Sequence, residues 1–184
     1  MRDELCRLAQ EFDWSTGSTD ADSTHLAPLA KWAGIAGAYA EEGMQSLAVL
    51  AQDAGNEVYV IGLLEQLGSL AAVDALIDFY PDAMRNPADN NATAWRLAGA
   101  CNQLLGFKDA PVATATQAST ICLFLMALLP LAESTAQRAC VICALRGVGD
   151  KAALDYLSAL DDLPDPYKTA RRSAIRAIRQ RQAA

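Results

Sequence analysis

Gly149-Asp150-Lys151-Ala152-Ala153-Leu154-Asp155-Tyr156-Leu157 decides the fold, because the chain has used the same pattern before, 81 residues upstream. There it reads Gly68-Ser69-Leu70-Ala71-Ala72-Val73-Asp74-Ala75-Leu76. The segments just before match at the same offset: Val60-Ile61-Gly62-Leu63-Leu64 against Val141-Ile142-Cys143-Ala144-Leu145. A third helix end, Leu104-Leu105-Gly106, lies between them, so glycines stand at 68, 106 and 149 with gaps of 38 and 43. Periods of this size belong to stacked helical repeats rather than to bundles.

Each unit has the same internal logic. A helix ends at a glycine that can take the left-handed conformation closing it, a short turn follows, and a second amphipathic helix begins. In 151–163, Ala153, Leu154, Leu157 and Leu160 share a face, with Asp155, Ser158 and Asp162 largely opposite. Neither helix can bury its stripe alone, so pairs must stack. The expected fold is all-α: a short right-handed α-solenoid of about four antiparallel helix pairs over 41–181. The pairs are 41–53 with 56–67, 70–84 with 92–105, 114–129 with 134–147, and 151–163 with 167–181. A cap spans 1–40, with a short helix at 2–12, a polar loop at 13–25 and a helix at 26–39, all in a single domain covering 1–184.

The last unit resembles a HEAT repeat. Gly149-Asp150 stands where that family has the turn before its first helix, Asp165-Pro166 at the inter-helix turn, and Arg171 at the opening of the second helix. Arg138, followed by Val141, Ala144 and Leu145, takes the arginine's place one unit earlier. Upstream, Glu57 occupies the equivalent position, and Arg96 sits at a shifted spacing. The resemblance implies a curved surface that binds other proteins, lined by the second helix of each pair. Some relatives bind nucleic acid, and a few bacterial ones are glycosylases or lyases.

Charge is unevenly spread. The net charge is −7, yet Lys168, Arg171, Arg172, Arg176, Arg179 and Arg181 all lie beyond the last acid, Asp165. The first 167 residues hold nine basic against twenty-two acidic residues, a balance of −13. Such a body repels nucleic acid and suits a basic protein partner, or solubility alone. On the C-terminal helix, Lys168, Arg172, Arg176 and Arg179 fall within an arc of about 80° at 100° per residue. The stripe would grip phosphates or an acidic partner. Equally, it would complement the helix dipole and give a terminal repeat its polar outer face. Arg171, at the edge of the apolar face, is expected to pair with Asp165 and pin the inter-helix turn. Trp95, Trp32 and Tyr39 are the aromatic candidates for an interface, with core packing as the alternative.

No arrangement suited to chemistry stands out. The single histidine, His25, lies in the polar stretch without a nucleophile elbow. Asp20 and Asp22 lack the glycine and terminal acid of a calcium loop. Cys140 and Cys143 form a CxxC inside a helix rather than at its start, and zinc would have to recruit Cys101 or Cys122. Glu41-Glu42 and Asp161-Asp162 point about 100° apart, and Asp74 and Asp78 share a face without an apolar setting to tune either. Gly34, Gly37 and Gly43 lack the lysine of a phosphate loop. Catalytic residues, metal and cofactor are therefore expected to be absent.

Five cysteines without a loop-rich framework, a start with no apolar signal core, and an apolar run of only 121–132 point to the cytoplasm. The expectation is a non-enzymatic protein-binding module, of the kind a small acidic bacterial inhibitor or immunity protein would be. Alternatives are a nucleic-acid binder working through the basic C-terminal helix, and a HEAT-like glycosylase or lyase. The partner is another protein, basic by charge complementarity, with nucleic acid and membrane not expected and oligomeric state open.

Overall fold

The computed structural model describes residues 23–53, 55–107, 110, 112–160 and 167–183. Among them the chain is helical throughout, with no strand. In order the elements are α1 (Ser23–Glu42), α2 (Met44–Leu50), α3 (Glu57–Leu67), α4 (Leu70–Phe79), α5 (Pro81–Arg85), α6 (Asn91–Leu105), α7 (Ala115–Leu128), a 3-10 turn (Leu129–Leu131), α8 (Thr135–Val148), α9 (Lys151–Ala159) and α10 (Tyr167–Gln182). Two compact units are distinguished, Met1–Leu63 and Leu64–Ala184, and the division falls inside α3.

In the first unit α1 packs on α2. The expected loop at 13–25 is only partly described. Residues 13–22 and the helix read at 2–12 lie outside the described residues, whereas Ser23, Thr24 and His25 already belong to α1 rather than to a loop. Helix α1 runs on to Glu42, past the boundary expected at 39–41, until Gly43 with φ 70 stops it. The turn before α3 is closed by its own polar groups. Asn56 donates to the Leu50 carbonyl at 2.9 Å, and the Gly55 N–H donates to the Glu57 carboxylate at 2.9 Å. Glu57 thus opens α3, where an acid satisfies a free N–H group and complements the helix dipole.

In the second unit α8 is central, packing against α6, α7 and α10, while α7 also meets α4 and α9 meets α10. The residues equivalent by the 81-residue match do equivalent work. Ser69 accepts from the Ala72 N–H at 3.2 Å and Asp150 from the Ala153 N–H at 2.9 Å, so each residue after a unit's glycine caps the following helix. Two further starts carry full capping boxes, Thr114 with Gln117 and Ser134 with Gln137. Ser134→Ala should lower stability by about 1 kcal/mol in urea melts followed by circular dichroism, and an unchanged midpoint would count against the cap. The buried amide of Gln117 also donates to Asp74 at 2.6 Å, tying α7 to α4. Asp74 is therefore a structural acceptor.

The helix expected over 70–84 is interrupted. Pro81 lacks an N–H and its ring would crowd the carbonyl four residues back, so α4 ends at Phe79 and Pro81 restarts the chain as α5. Similarly, α9 ends at Ala159 and Leu160 is extended, short of the expected 163. The run 121–132 is largely interior: Ile121, Cys122, Phe124, Leu125, Leu128 and Leu129 are buried, with Leu123 outside.

The three glycines do not share one role. Only Gly68 is left-handed, with φ 59. Gly106 has φ −80 and Gly149 φ −57, conformations open to any residue. They are held to glycine by space. A Cβ on Gly106 would lie 2.5 Å from the Asn102 carbonyl oxygen and 3.0 Å from that of Cys143, and one on Gly149 would lie 2.6 Å from Ile178 Cδ1. The left-handed closure expected of all three therefore gives way, at two of them, to close packing.

Candidate functional site

Helix α10 brings together all six C-terminal cations and sorts them by direction. Ala174 and Ile178 are buried. Lys168, Arg172, Arg176 and Arg179 are exposed on the other side, and none of their side chains makes an ion pair or hydrogen bond with another described residue. Arg171 and Arg181 instead reach back to neighbouring helices. Arg171 donates to the Leu160 carbonyl at the end of α9. The contact ties α10 to the end of α9, while the pairing expected with Asp165 at the inter-helix turn falls on residues outside the described ones. Arg181 donates to the carbonyls of Arg146 and, at 3.0 Å, of Gly149, answering the free acceptors at the α8 terminus.

The charge asymmetry extends beyond α10. Helices α6, α8 and α10 carry nine basic and no acidic residues: Arg96, Arg138, Arg146 and the six on α10. Helices α4, α7 and α9 carry Asp74, Asp78 and Asp155 against Lys151. Arg138 is half-buried on α8, and Arg96 is exposed beside a half-buried Trp95. Trp32, also half-buried, would have its ring edge 3.5 Å from a Cβ on Gly62, so that glycine makes room for the indole. Its neighbour Lys31 is engaged with the Gly55 carbonyl at 2.9 Å and lies 5.4 Å over the Tyr59 ring. Trp32 thus packs against the backbone of α3 at Gly62.

The four described thiols are electrostatically quiet. Burial, reinforced by Cys140, pushes the Cys101 thiol up to about 12. Burial likewise pushes Cys122 up to about 11 beside Asp150, and Cys140 up to about 11 near Cys143 and Glu65. Cys143 is raised by burial and partly relieved by Arg146. A reactive or metal-binding thiol needs the opposite shift. Among the described residues no three Cys, His, Asp or Glu side chains are grouped to hold a metal ion. Glu65 is raised by burial alone.

A concavity of about 380 Å³ opens at the C-terminal ends of α6 and α8 against α10. Leu105, Phe107, Ala110, Val112 and Ala177 supply apolar wall, while Arg146, Gln180 and Arg181 supply polar groups. Phe107 is 56% and Val112 83% exposed, so the mouth has apolar side chains in water. Of the residues forming it, the sequence had marked out only Leu105 and Gly106, as a helix end, and Arg181, as one of the C-terminal cations.

No described helix is long and apolar enough to cross a membrane. Comparison of the chain with family models, with curated proteins and with solved structures returned no match.

Proposed function

We propose that the protein is a non-enzymatic binding module, its helix pairs stacked as a short right-handed solenoid of the HEAT-like kind, that holds a short acidic segment of another protein along α10. The observation that carries this reading is the set of four outward cations, Lys168, Arg172, Arg176 and Arg179, left without ion pairs among the described residues on a helix that has no acid. Stacking is supported by α8 lying against both α6 and α10, the second helices of successive pairs, while α7 packs on α4. A solvated end cap accounts for cations, but not for the lack of any acid across α6, α8 and α10, since a solvated face normally mixes both signs.

A short acidic segment fits better than a nucleic acid. Charges are screened beyond a Debye length of about 10 Å at 0.1 M salt, so the stripe acts locally. A long polyanion would run on past it toward Asp150 and Asp155, and would meet a chain of net charge −7.

The test is titration with a hexaglutamate peptide, a hexalysine peptide and a DNA duplex at low salt. Four exposed pairs at roughly 0.5 kcal/mol each amount to about 2 kcal/mol, or roughly thirtyfold in affinity. Binding of hexaglutamate that falls by about that factor when all four residues are changed to Gln is the expected result. Preference for the duplex would move the protein to the nucleic-acid class, preference for hexalysine would restore a basic partner, and no binding of hexaglutamate would remove the proposal.

A further inference from the structure

The concavity beside α10 has a different chemistry from the stripe. Phe107 and Val112 at its mouth and Ala177 on its wall are apolar, its polar groups are Arg146, Gln180 and Arg181, and no acid lines it among the described residues. Its volume of about 380 Å³ falls in the range of small-molecule sites. Its floor is glycine: a Cβ on Gly147 would lie 2.0 Å from the Leu105 carbonyl oxygen, so α6 and α8 touch backbone to backbone there.

The two arginines are not equivalent. Arg181 donates to the Arg146 and Gly149 carbonyls, which offsets the partial negative charge of the α8 terminus. The Arg146 guanidinium makes no hydrogen bond or ion pair with another described residue. Its charge is felt by the half-buried Cys143 thiol, which burial pushes up and Arg146 partly relieves. One guanidinium is therefore left for a ligand, next to an apolar wall and an amide at Gln180. Exposed Phe107 and Val112 would gain from being covered, at a rate proportional to the apolar area removed from water.

We infer that this concavity is a binding site for a small amphipathic monoanion, an aryl or alkyl carboxylate or sulfonate, with Arg146 taking the anionic group and Phe107 and Val112 covering the apolar body. A neutral molecule of the same shape would gain the apolar contacts alone, and a multiply charged anion would lack partners for its further charges. The site is independent of what α10 holds on its outer face.

The experiment compares two fluorescent probes of nearly the same skeleton on the full chain: anilinonaphthalene sulfonate, which is a monoanion, and neutral phenylnaphthylamine. The native protein should bind the sulfonate more tightly. Arg146→Met should weaken the sulfonate about tenfold, the scale of one charge-assisted hydrogen bond, and leave the neutral probe within twofold. Arg85→Met, on α5, removes an equal charge outside the lining and should change neither. Val112→Asp, fully compatible with an 83% exposed position, should weaken both probes. Far-ultraviolet circular dichroism and an unchanged urea midpoint verify that each variant is folded. No sulfonate binding by the native protein, equal affinity for the two probes, or a sulfonate affinity indifferent to Arg146→Met would overturn the inference.

Discussion

Replacing Gly147 by alanine should lower the stability of the protein by about 3 kcal/mol, the upper end of what overpacking costs, although helix propensity alone would raise it by up to about 1 kcal/mol. Gly147 lies in α8, and the added methyl would stand 2.0 Å from the Leu105 carbonyl oxygen and 2.6 Å from its carbonyl carbon. Those atoms are backbone at the end of α6, so no rotamer change can relieve the clash. Helices α6 and α8 must move apart by more than an ångström, and the contacts each makes with the other weaken together. Gly99 is the control. It is also a helical glycine, on α6, but a Cβ there meets nothing within 4 Å. Gly99→Ala should be neutral or stabilising. The two variants, compared in urea melts by circular dichroism, are therefore expected to shift in opposite directions. A Gly147→Ala protein as stable as the parent would mean that α6 and α8 do not touch at this point.

That contrast also shows where reading the sequence stops. Periodicity placed these helices because burial imposes it locally: 134–147 differs from Thr135–Val148 by one residue at each end, and 92–105 from Asn91–Leu105 by one residue at the start. Gly147 looked like one more helical residue, and Gly149 like a helix stop. Their shared reason, proximity to α6 and α10, depends on residues more than 25 positions away. Other misses had a local signal. Pro81 forbids a continuous helix over 70–84, and the Thr114-to-Gln117 and Ser134-to-Gln137 spacings are written in the chain. The candidate sites divide in the same way. The four-cation stripe on α10 is legible at 100° per residue. The reach of Arg181 to α8 and the concavity built from Phe107, Val112, Arg146 and Gln180 are not, since they come from three segments with no common period.

The apolar run around α7 allows the sharpest separation of core from surface, because adjacent residues are predicted to behave oppositely. Phe124 is among the largest fully buried side chains in the protein, and Leu123 beside it is 68% exposed. Phe124→Ala removes most of a ring from an interior that also holds Ile121, Leu125 and Leu128 from the same helix. The loss combines the transfer free energy of the missing atoms with that of the cavity left behind, together about 4 kcal/mol. That is a large part of a marginal total of roughly 5–15 kcal/mol, so the variant should melt far earlier in urea. Leu123→Ser alters a side chain already in water and should change stability by less than about 0.5 kcal/mol. If Leu123 instead covers a second copy of the chain, Leu123→Ser would convert a dimer to a monomer by sedimentation while leaving the monomer's fold intact. If Phe124→Ala proves mild, the register of α7 is wrong by about one residue, because a 100° turn would exchange the environments of these two side chains.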